Sequence, residues 1–467
     1  MHKGDLIFGT DGVRDKAGSG FLAPVEVERL ARAAASVLKA PERFPRDFPW
    51  AAGGSGGNSA RRWKVLIGRD TRESGPAIGA QMGGALRRAG FAVIDLAVIP
   101  TPGVAHLAAA EPEAILGVVV SASHNPAEYN GIKFLATTGA KVTEDLEKAV
   151  SDAYWRSEAP AAVPEAPLEE DPRGLDRYVG FLRGRMRHGT KLLGRKVVLD
   201  TAHGATFEAA PRLFQALGAE VIQIGDLPDG RNINAVCGAL HPQGLARKVA
   251  EVGADFGFAF DGDGDRMIPV ARDGQILDGD HVLAIAGKRF LADGLLPRKA
   301  VVATVMSNIG LEKALARDGI RLIRTPVGDR HVHKEMVLGA HPIGGEQSGH
   351  LIFLEDSPTG DGILAAMRLI DCLGGDVPDL AAEARCMVRF PQILLNYKVP
   401  RRVPLESLPG VCRAVREAED ALGGEGRVLL RYSGTEPLAR VMIEGPEKSM
   451  IERLARGIGE EILRAIH

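Results

Sequence analysis

Residues 65–120 read VLIGRDTRESGPAIGAQMGGALRRAGFAVIDLAVIPTPGVAHLAAAEPEAILGVVV, and this stretch decides the predicted fold class. Three apolar, strand-like runs, at 65–68, 91–98 and 115–120, alternate with two segments whose apolar residues recur at helical spacing. Strands that alternate with helices in this way are typical of a mostly parallel sheet with helices packed on its faces. We therefore predict an α/β fold for this part of the chain.

The same alternation continues towards the C-terminus and then weakens. Strand-like KVVLD (196–200) and EVIQIG (220–225) are separated by a helical pattern, and a further α/β unit is predicted to begin near Asp255. From Val388 to His467 strands and helices are less regularly interleaved, which favours a small α+β domain.

A chain of 467 residues is too long for one hydrophobic core, so several domains are expected. The acidic, Pro-rich text at 157–172 and GGDVPD at 374–379 indicate boundaries. Gly-, Ser- and Pro-rich residues 41–62 have no periodicity, and we predict a mobile surface insertion there. The predicted domains are three α/β units and a smaller α+β unit, at 1–157, 158–254, 255–374 and 386–467.

Composition excludes some classes of partner. The chain has 58 basic and 60 acidic residues, a formal charge of −2, which gives no general electrostatic reason to bind nucleic acid or an anionic membrane. The four cysteines lack CxxC and zinc-ligand spacing, so we expect buried free thiols in a reducing compartment. No run approaches eighteen apolar residues and the first residues lack a signal-peptide core, which predicts a cytoplasmic protein.

The strongest single motif is DGDGDR, residues 261–266, directly after an apolar run. Asp261, Asp263 and Asp265 alternate with glycines and can turn around one hard cation, magnesium or calcium rather than zinc. A calcium loop that starts at Asp261 needs Gly at its sixth position and Glu at its twelfth, and this chain has arginine at both. An acidic turn at a strand end is the structural alternative, but three acids this close repel unless a cation offsets them. A metal site is therefore favoured.

A second motif, SASHNP (121–126), follows the apolar run at 115–120, and strand C-terminal ends are where α/β sheets place ligands. Ser123, beside His124 and close to Lys133, is a candidate nucleophile, although an Asn-Pro turn with a hydroxyl cap explains this motif alone equally well. A GxSxG elbow is absent, and adjacent Ser and His make a poor serine–base pair, which disfavours a charge-relay hydrolase.

Two further motifs have the composition of ligand-binding loops. RYSGTEP (431–437) with Arg440 offers two guanidinium groups, hydroxyls and backbone amides, a suitable cradle for a phosphate dianion. GGEQSGH (344–350) places Glu346 and Ser348 two residues apart, so on an extended loop both would face neighbouring sugar hydroxyls. The loops FGTDGVR and VGDR combine glycines with an arginine, and each of these four motifs alone has a structural explanation.

Taken together, nine ordered motifs resemble the α-D-phosphohexomutase family. They span nearly the whole chain, which makes the set far more specific than any member: FGTDGVR, GRDTRESG, SASHNPAEYNGIKF, PDGRNIN, FDGDGDR, VGDR, GGEQSGH, TGDG and RYSGTEPLARVMIEG. Within the family, the chain is most similar to the branch that acts on glucosamine phosphates. The resemblance implies four domains around a central cleft, three similar mixed-sheet α/β domains and a smaller α+β C-terminal domain.

The resemblance also implies roles for individual residues. Ser123 corresponds to a phosphoserine, and its phosphate would hold Mg²⁺ together with Asp261, Asp263 and Asp265. Catalytic roles around the phosphoserine are implied for His124, Lys133, Arg14 and Arg266. Substrate contacts are implied for Glu346, Ser348, Gly328, Asp329, Arg330, Arg431, Ser433, Gly434, Thr435 and Arg440.

The implied reaction interconverts glucosamine 6-phosphate and glucosamine 1-phosphate, for cell-wall precursor synthesis, through the phosphoserine and a sugar 1,6-bisphosphate that also serves as activator. The implied partner is a hexosamine phosphate, with no nucleic acid or membrane, and the family suggests a homodimer. A mutase of glucose or mannose phosphates is the alternative, but such enzymes have Met where this chain has Gln347. A magnesium-dependent sugar phosphatase and a non-catalytic sugar-phosphate binding protein are disfavoured, the latter because Ser123 and all three aspartates are present.

Overall fold

The structure is a computed structural model that describes residues 5–9, 11–51, 63–158, 168, 170–187, 192–374, 378–433 and 437–466. The chain divides into two compact units, Met1–Val305 with Ile323–Ala384, and Met306–Leu322 with Arg385–His467. The described residues form sheets of five, four, four and three strands. This confirms the predicted fold class, with three mixed α/β sheets and a small antiparallel domain at the C-terminus.

The first domain is a mixed sheet with helices, built from β1 (Val13–Lys16), β2 (Lys64–Arg69), β3 (Ala92–Val98), β4 (Ala114–Val120), β5 (Tyr129–Leu135), α1 (Pro24–Leu38), α2 (Gly75–Arg88), α3 (Thr101–Ala110) and α4 (Glu144–Arg156). Its strand order is β1-β5-β4-β2-β3. β2 runs parallel to β3 and β4, whereas β5 is antiparallel to β4 and β1. Every residue of β4 is buried, as expected for a central strand covered on both faces.

The segment between α1 and β2 differs from the predicted mobile insertion. It forms two short 3-10 helices, Pro41–Arg43 and Pro49–Ala51. Phe44 and Phe48 are buried in the core of the first domain. Buried Asp47 accepts hydrogen bonds from the amide and the hydroxyl of Thr143, the N-cap residue of α4. Phe44 and Phe48 anchor this segment to the core of the first domain, although its sequence has no periodic pattern. Residues 52–62 of the predicted insertion lie outside the described residues.

The second domain consists of β6 (Lys196–Asp200), β7 (Glu220–Ile224), β8 (Phe256–Phe260), β9 (Met267–Ala271), α5 (Gly174–Arg183), α6 (Thr206–Ala216) and α7 (Gln243–Val252). Its strand order is β7-β6-β8-β9, with β6 parallel to β7 and β8, and β9 antiparallel to β8. Because β8 pairs with β6, the sheet continues past residue 254. The domain boundary therefore lies later than predicted, after β9.

The third domain contains β10 (Ala300–Thr304), β11 (Arg321–Thr325), β12 (Ile343–Gly345), β13 (Leu351–Phe353), α8 (Gly279–Ala292), α9 (Ile309–Arg317), α10 (Asp329–Gly339), α11 (Gly362–Cys372) and α12 (Leu380–Ala384). Its strand order is β11-β10-β12-β13, with β12 parallel to β10 and antiparallel to β13. Each of the three sheets therefore contains an antiparallel hairpin at the same place in its topology: β4–β5, β8–β9 and β12–β13. The sequence showed no such repeat by eye.

The fourth domain is an antiparallel sheet with two long helices, built from β14 (Gln392–Lys398), β15 (Arg427–Tyr432), β16 (Leu438–Glu444), α13 (Pro409–Leu422) and α14 (Lys448–Ile466). β16 pairs with both β14 and β15. One face of α14 carries Ile451, Ala455, Ile458 and Ile462 at helical spacing, and all four are buried. These side chains form the core of the domain together with apolar residues of the sheet.

The cysteines are free thiols, and only Cys372 is buried, whereas Cys237, Cys386 and Cys412 are half-buried. The prediction of buried thiols therefore holds for one of the four. Within the described ranges, no helix has both the length and the apolar composition needed to cross a bilayer.

We expect Phe48→Ala to destabilise the first domain by about 3–5 kcal/mol, because it removes a large, fully buried side chain and leaves a cavity. All three tryptophans, Trp50, Trp63 and Trp155, lie in this domain, so urea unfolding followed by tryptophan fluorescence reports on it selectively. Glu42→Ala, at an exposed position in the same segment, is the control and should leave the midpoint unchanged. Equal midpoints for Phe48→Ala and the control would mean that the segment is not part of the core.

Candidate active site

The predicted catalytic loops occupy one topological position in three domains. Ser123 lies between β4 and β5, the acidic run lies between β8 and β9, and Glu346 lies between β12 and β13. The hydroxyl of Ser123 donates a hydrogen bond to Asp261 Oδ2 at 2.7 Å, and the amide of Met267 donates to the carbonyl of Gly349 at 3.0 Å. These bonds join the serine loop to the acidic loop, and the acidic hairpin to the third loop.

Ser123 is buried in a conformation that is unusual for a residue with a side chain. Its φ is 52°, in the left-handed region, which is held only where the surroundings fix it. Its amide donates to Ser121 Oγ at 2.9 Å, and its own Oγ lies 3.4 Å from Nδ1 of His124. The hydroxyl therefore faces the acidic loop with a histidine beside it.

The three predicted metal ligands come together. Carboxylate oxygens of Asp261, Asp263 and Asp265 lie within 4.8 Å of one another, and all three residues are buried. A Cβ at Gly262 would lie 2.6 Å from the carbonyl oxygen of Ser123. A side chain there would push the acidic loop away from the serine loop, so the close approach of the two loops requires glycine.

Buried charge in the acidic loop is compensated in part by lysine. Lys133 Nζ lies 2.9 Å from Asp263 Oδ2 and 3.1 Å from Asp11 Oδ2. Burial by itself would lower the pKa of Lys133, but the neighbouring carboxylates raise it above its ordinary value. Burial raises the pKa of Asp261 well above its usual range, and repulsion from Asp265 and Asp263 raises it further. A cation among the three carboxylates would counter this repulsion and favour the ionised form of Asp261.

Two oxygens of the cluster support binding of a cation. Among the described residues, Asp263 Oδ1 and Asp265 Oδ1 are buried without a hydrogen-bond partner. Buried carboxylate oxygens are costly unless they are paired or ligate a metal. A set of oxygen donors alone fits a hard divalent cation, with the side chain of Ser123 next to it. The residues present therefore fit the predicted metal.

Two histidines adjoin the site with opposite pKa shifts. Burial, assisted by the guanidinium group of Arg266, lowers the pKa of His124 to about 4. In His350, Nδ1 lies 3.7 Å from Asp265 Oδ2 and Nε2 lies 3.8 Å from Asp329 Oδ2. Burial would lower the pKa of His350, but these two carboxylates raise it to about 9. At neutral pH His124 is neutral and can accept a proton, whereas His350 is cationic.

Arg14 and Arg266, for which the resemblance implies catalytic roles, lie beside the serine and acidic loops. Arg14 pairs with Asp11, and its Nη1 lies 3.4 Å from Asn125 Oδ1 in the serine loop. The amide of Arg266 donates to Asp261 Oδ1 at 3.1 Å, and its Nε lies 3.8 Å from a carboxylate oxygen of Asp265. Both guanidinium groups lie close enough to His124 to lower its pKa.

The loop around Glu346 differs from the extended geometry assumed from the sequence. The amide of Gly349 donates to the carbonyl of Glu346 at 3.0 Å, which closes a β-turn over 346–349. Side chains two residues apart face the same way on an extended strand but not on a turn. The turn therefore removes the reason to expect Glu346 and Ser348 on one side of the loop. Glu346 Oε1 accepts a hydrogen bond from the amide of Gly328 at 3.2 Å, and Ser348 is exposed.

Asp329 and Arg330, predicted to bind substrate, form ion pairs with the first domain. Lys141 Nζ lies 2.8 Å from Asp329 Oδ2 and also binds Asp11 at 2.6 Å. Arg330 forms a bidentate pair with Glu147, at 2.9 and 2.6 Å. In this structure these two residues connect the third domain to the first.

Sequence reasoning missed Asp11, Lys141 and His350. Asp11 and His350 lie inside motifs that were recognised, whereas Lys141 lies in none. Each of these residues lies close to a side chain of opposite charge. That contact marks it as part of the site, and the contact forms only when the chain folds.

The fourth domain carries the remaining predicted residues. Arg431 and Arg440 are paired across β15 and β16, and Arg440 Nη2 lies 3.2 Å from Ser433 Oγ. Burial lowers the pKa of Arg431, and repulsion from Arg440 lowers it further, so an anion between the two would relieve an unfavourable pair. Gly434 and Thr435 lie outside the described residues.

Four models of phosphoglucomutase/phosphomannomutase domains match the chain: α/β/α domain I at 5–161, domain II at 176–274, domain III at 278–386, and the C-terminal domain at 394–460. A phosphoglucosamine mutase from Symbiobacterium thermophilum is 44% identical over 98% of this chain and 98% of its own length. The chain belongs to the phosphoglucomutase/phosphomannomutase family. The family's limit between domains II and III agrees with the position of β9.

Two solved structures share the fold. A phosphoglucomutase/phosphomannomutase family protein from Burkholderia thailandensis matches with a TM-score of 0.75 and 24% identity, over 98% of this chain and 97% of that protein. An N-acetylphosphoglucosamine mutase from Aspergillus fumigatus, solved with GlcNAc-6P and magnesium, matches with a TM-score of 0.62 and 17% identity, over 98% and 96%. These likenesses extend over all four domains of the family.

We expect Mg²⁺ to bind the protein and raise its melting temperature, and Asp265→Asn to weaken that binding at least about tenfold, or about 1.4 kcal/mol, because a ligand charge is lost. Calorimetric titration with Mg²⁺ measures this without turnover. Asp273→Asn, an exposed carboxylate just after β9, is the matched control and should bind like the unchanged protein. Equal affinities for Asp265→Asn and the control would place the cation elsewhere.

Proposed function

We propose that the chain interconverts glucosamine 6-phosphate and glucosamine 1-phosphate by way of a phosphorylated Ser123 and a sugar 1,6-bisphosphate. The observation that carries this proposal is the 2.7 Å hydrogen bond from Ser123 to Asp261 inside a buried carboxylate cluster. In a hydrolytic triad the serine hydroxyl donates its hydrogen bond to a histidine, whereas here it donates to a carboxylate of the candidate cation site. The choice of amino sugar is supported by near full-length similarity to phosphoglucosamine mutases.

Magnesium is the proposed metal, held by Asp261, Asp263 and Asp265 together with a phosphate oxygen on Ser123. When bound, it supplies positive charge that polarises the phosphoryl group and offsets its negative charge. Arg14, Lys133 and Arg266 add to that positive field from within the protein.

The chain's own residues perform the transfer. The phosphoryl group passes from Ser123 Oγ to the free hydroxyl of the bound sugar phosphate, which leaves a bisphosphate and a serine alkoxide that takes up a proton. The proton that the sugar hydroxyl loses is the one that Ser123 Oγ gains. His124, neutral and 3.4 Å from Ser123 Oγ, accepts this proton from the sugar and passes it to the serine, and it works in the reverse order when Ser123 is phosphorylated again. After the bisphosphate turns around, its other phosphoryl group returns to Ser123. The protein accelerates the transfer by positioning the reacting groups and by stabilising the negative charge of the phosphoryl group, rather than by further covalent chemistry.

Arg431, Ser433, Gly434, Thr435 and Arg440 bind the phosphate that does not react. The paired guanidinium groups of Arg431 and Arg440 match a dianion better than a neutral sugar. Glu346 and Ser348 contact sugar hydroxyls, and Gly328 holds Glu346 through its amide. It stays a prediction that Asp329 and Arg330 contact the substrate. The cytoplasmic location and the homodimer also stay predictions.

The deciding experiment compares kcat/KM for glucosamine, glucose and mannose phosphates, with Mg²⁺ and a trace of sugar bisphosphate. We expect at least about a hundredfold preference for the amino sugar, roughly 2.7 kcal/mol. Ser123→Ala should abolish isomerisation of all three. Faster turnover of glucose or mannose phosphate would overturn the substrate but not the mechanism. Release of free phosphate as the only product would overturn the mutase itself.

Gln347 offers a test of the sugar preference. Its Nε2 donates to Asp280 Oδ2 at 3.0 Å, which leaves the amide oxygen as an acceptor for an ammonium group. We expect Gln347→Met to reduce the preference for glucosamine over glucose phosphate about tenfold, or about 1.4 kcal/mol, mainly through a higher KM for the amino sugar. Gln347→Asn keeps an amide with both the donor and the acceptor and should retain more of the preference than Gln347→Met. An unchanged ratio in Gln347→Met would remove Gln347 from specificity.

A further inference from the structure

Arg72 lies in the loop between β2 and α2 and is among the largest fully buried side chains of the protein. It belongs to the motif GRDTRESG, residues 68–75. Its Nε donates to Asp70 Oδ2 at 2.9 Å, and neither side chain is exposed. This ion pair is neutral overall, so the guanidinium group is stable in the interior without adding net charge near the carboxylate cluster.

The rest of the guanidinium group binds the loop that carries Ser123. Nη2 donates to the carbonyl oxygens of Ser123 at 3.0 Å and Asn125 at 2.8 Å. Nη1 donates to the carbonyl oxygens of Tyr129, at 2.9 Å, and Pro126. With the bond to Asp70, all five N–H groups of the guanidinium are used. One rigid, planar group thus fixes three carbonyls of the loop after β4 and the carbonyl of the first residue of β5.

Restraint of this kind is what the backbone of Ser123 requires. A serine with a φ of 52° relaxes to an ordinary conformation unless its neighbouring peptides are held. The carbonyl of Ser123 also accepts from Asn234 Nδ2 at 2.9 Å, and its amide is held by Ser121, whose hydroxyl donates to Asp70. Asp70 and Arg72 therefore act on both sides of Ser123.

We propose that Arg72 is a positioning residue for phosphoryl transfer, which holds the Ser123 loop in its left-handed conformation so that Oγ faces the cation site. This inference rests on the proposed function. Arg72 acts through the loop and makes no contact with substrate, so its loss should reduce kcat and leave KM nearly unchanged. Holding the loop requires the planar arrangement of five N–H donors in the guanidinium group, and positive charge alone is not enough. A lysine offers three donors and cannot reach four carbonyls.

The test compares Arg72→Lys and Arg72→Met with the unchanged enzyme. We expect kcat to fall about a hundredfold in both variants, with KM for the hexose phosphate within about twofold. Intact-mass spectrometry after exposure to sugar bisphosphate should show slower phosphorylation of Ser123 in both. Arg69→Lys, which alters an arginine of the same segment that pairs with Asp95, is the control and should behave like the unchanged enzyme.

Full activity in Arg72→Lys would show that charge alone suffices and would overturn the proposal, as would a raised KM with unchanged kcat. Should both variants fail to fold, hydrogen exchange of the unchanged protein decides. Amides of residues 121–131 must then exchange as slowly as those of β4, and rapid exchange overturns the proposal. Hydrogen exchange is independent of turnover, so a failure of the mutase function leaves this structural result readable.

Discussion

Three carboxylates buried within 4.8 Å of one another are the constraint on which the rest of the site depends. Such a cluster is unstable alone, because burial and mutual repulsion both oppose ionisation. Lys133 offsets part of the charge through Asp263, and His350 approaches Asp265 from the third domain. A divalent cation at this site would favour the ionised form of all three carboxylates, and in the proposed reaction its positive charge would also offset the negative charge of the phosphoryl group on Ser123.

Topology explains how residues distant in sequence reach one place. The first three domains each contain an antiparallel hairpin in the same position of the sheet, and each hairpin turn carries one part of the site. The loops that carry Ser123, the acidic run and Glu346 are thus equivalent turns of a threefold structural repeat. Ion pairs of Lys141 and Arg330 connect the first and third domains around them. The nucleophile and the cation site can then be held rigidly, as transfer by positioning requires.

Much of the fold and the core of the site could be predicted. Alternating apolar strands and amphipathic helices determined the α/β class, and the aspartate cluster could be predicted because the spacing of its residues is local. Prediction failed where tertiary contacts decide. Phe48 lies in a segment without periodicity yet is buried, and β8 was assigned to the third domain although it pairs with β6 in the second. The pairing partner of a strand is a non-local choice that its own residues do not encode.

The sequence by itself determined which chemical groups are present: three aspartates separated by glycines, a serine loop, and a C-terminal loop flanked by Arg431 and Arg440, all local patterns of residue type. Only the tertiary structure decided which charges meet. Arg72 reaches four carbonyls across more than fifty residues of chain, His124 and His350 acquire opposite pKa shifts, and the turn at Glu346 replaces an extended loop. Burial and distance set these properties, and both arise only when separate segments pack together.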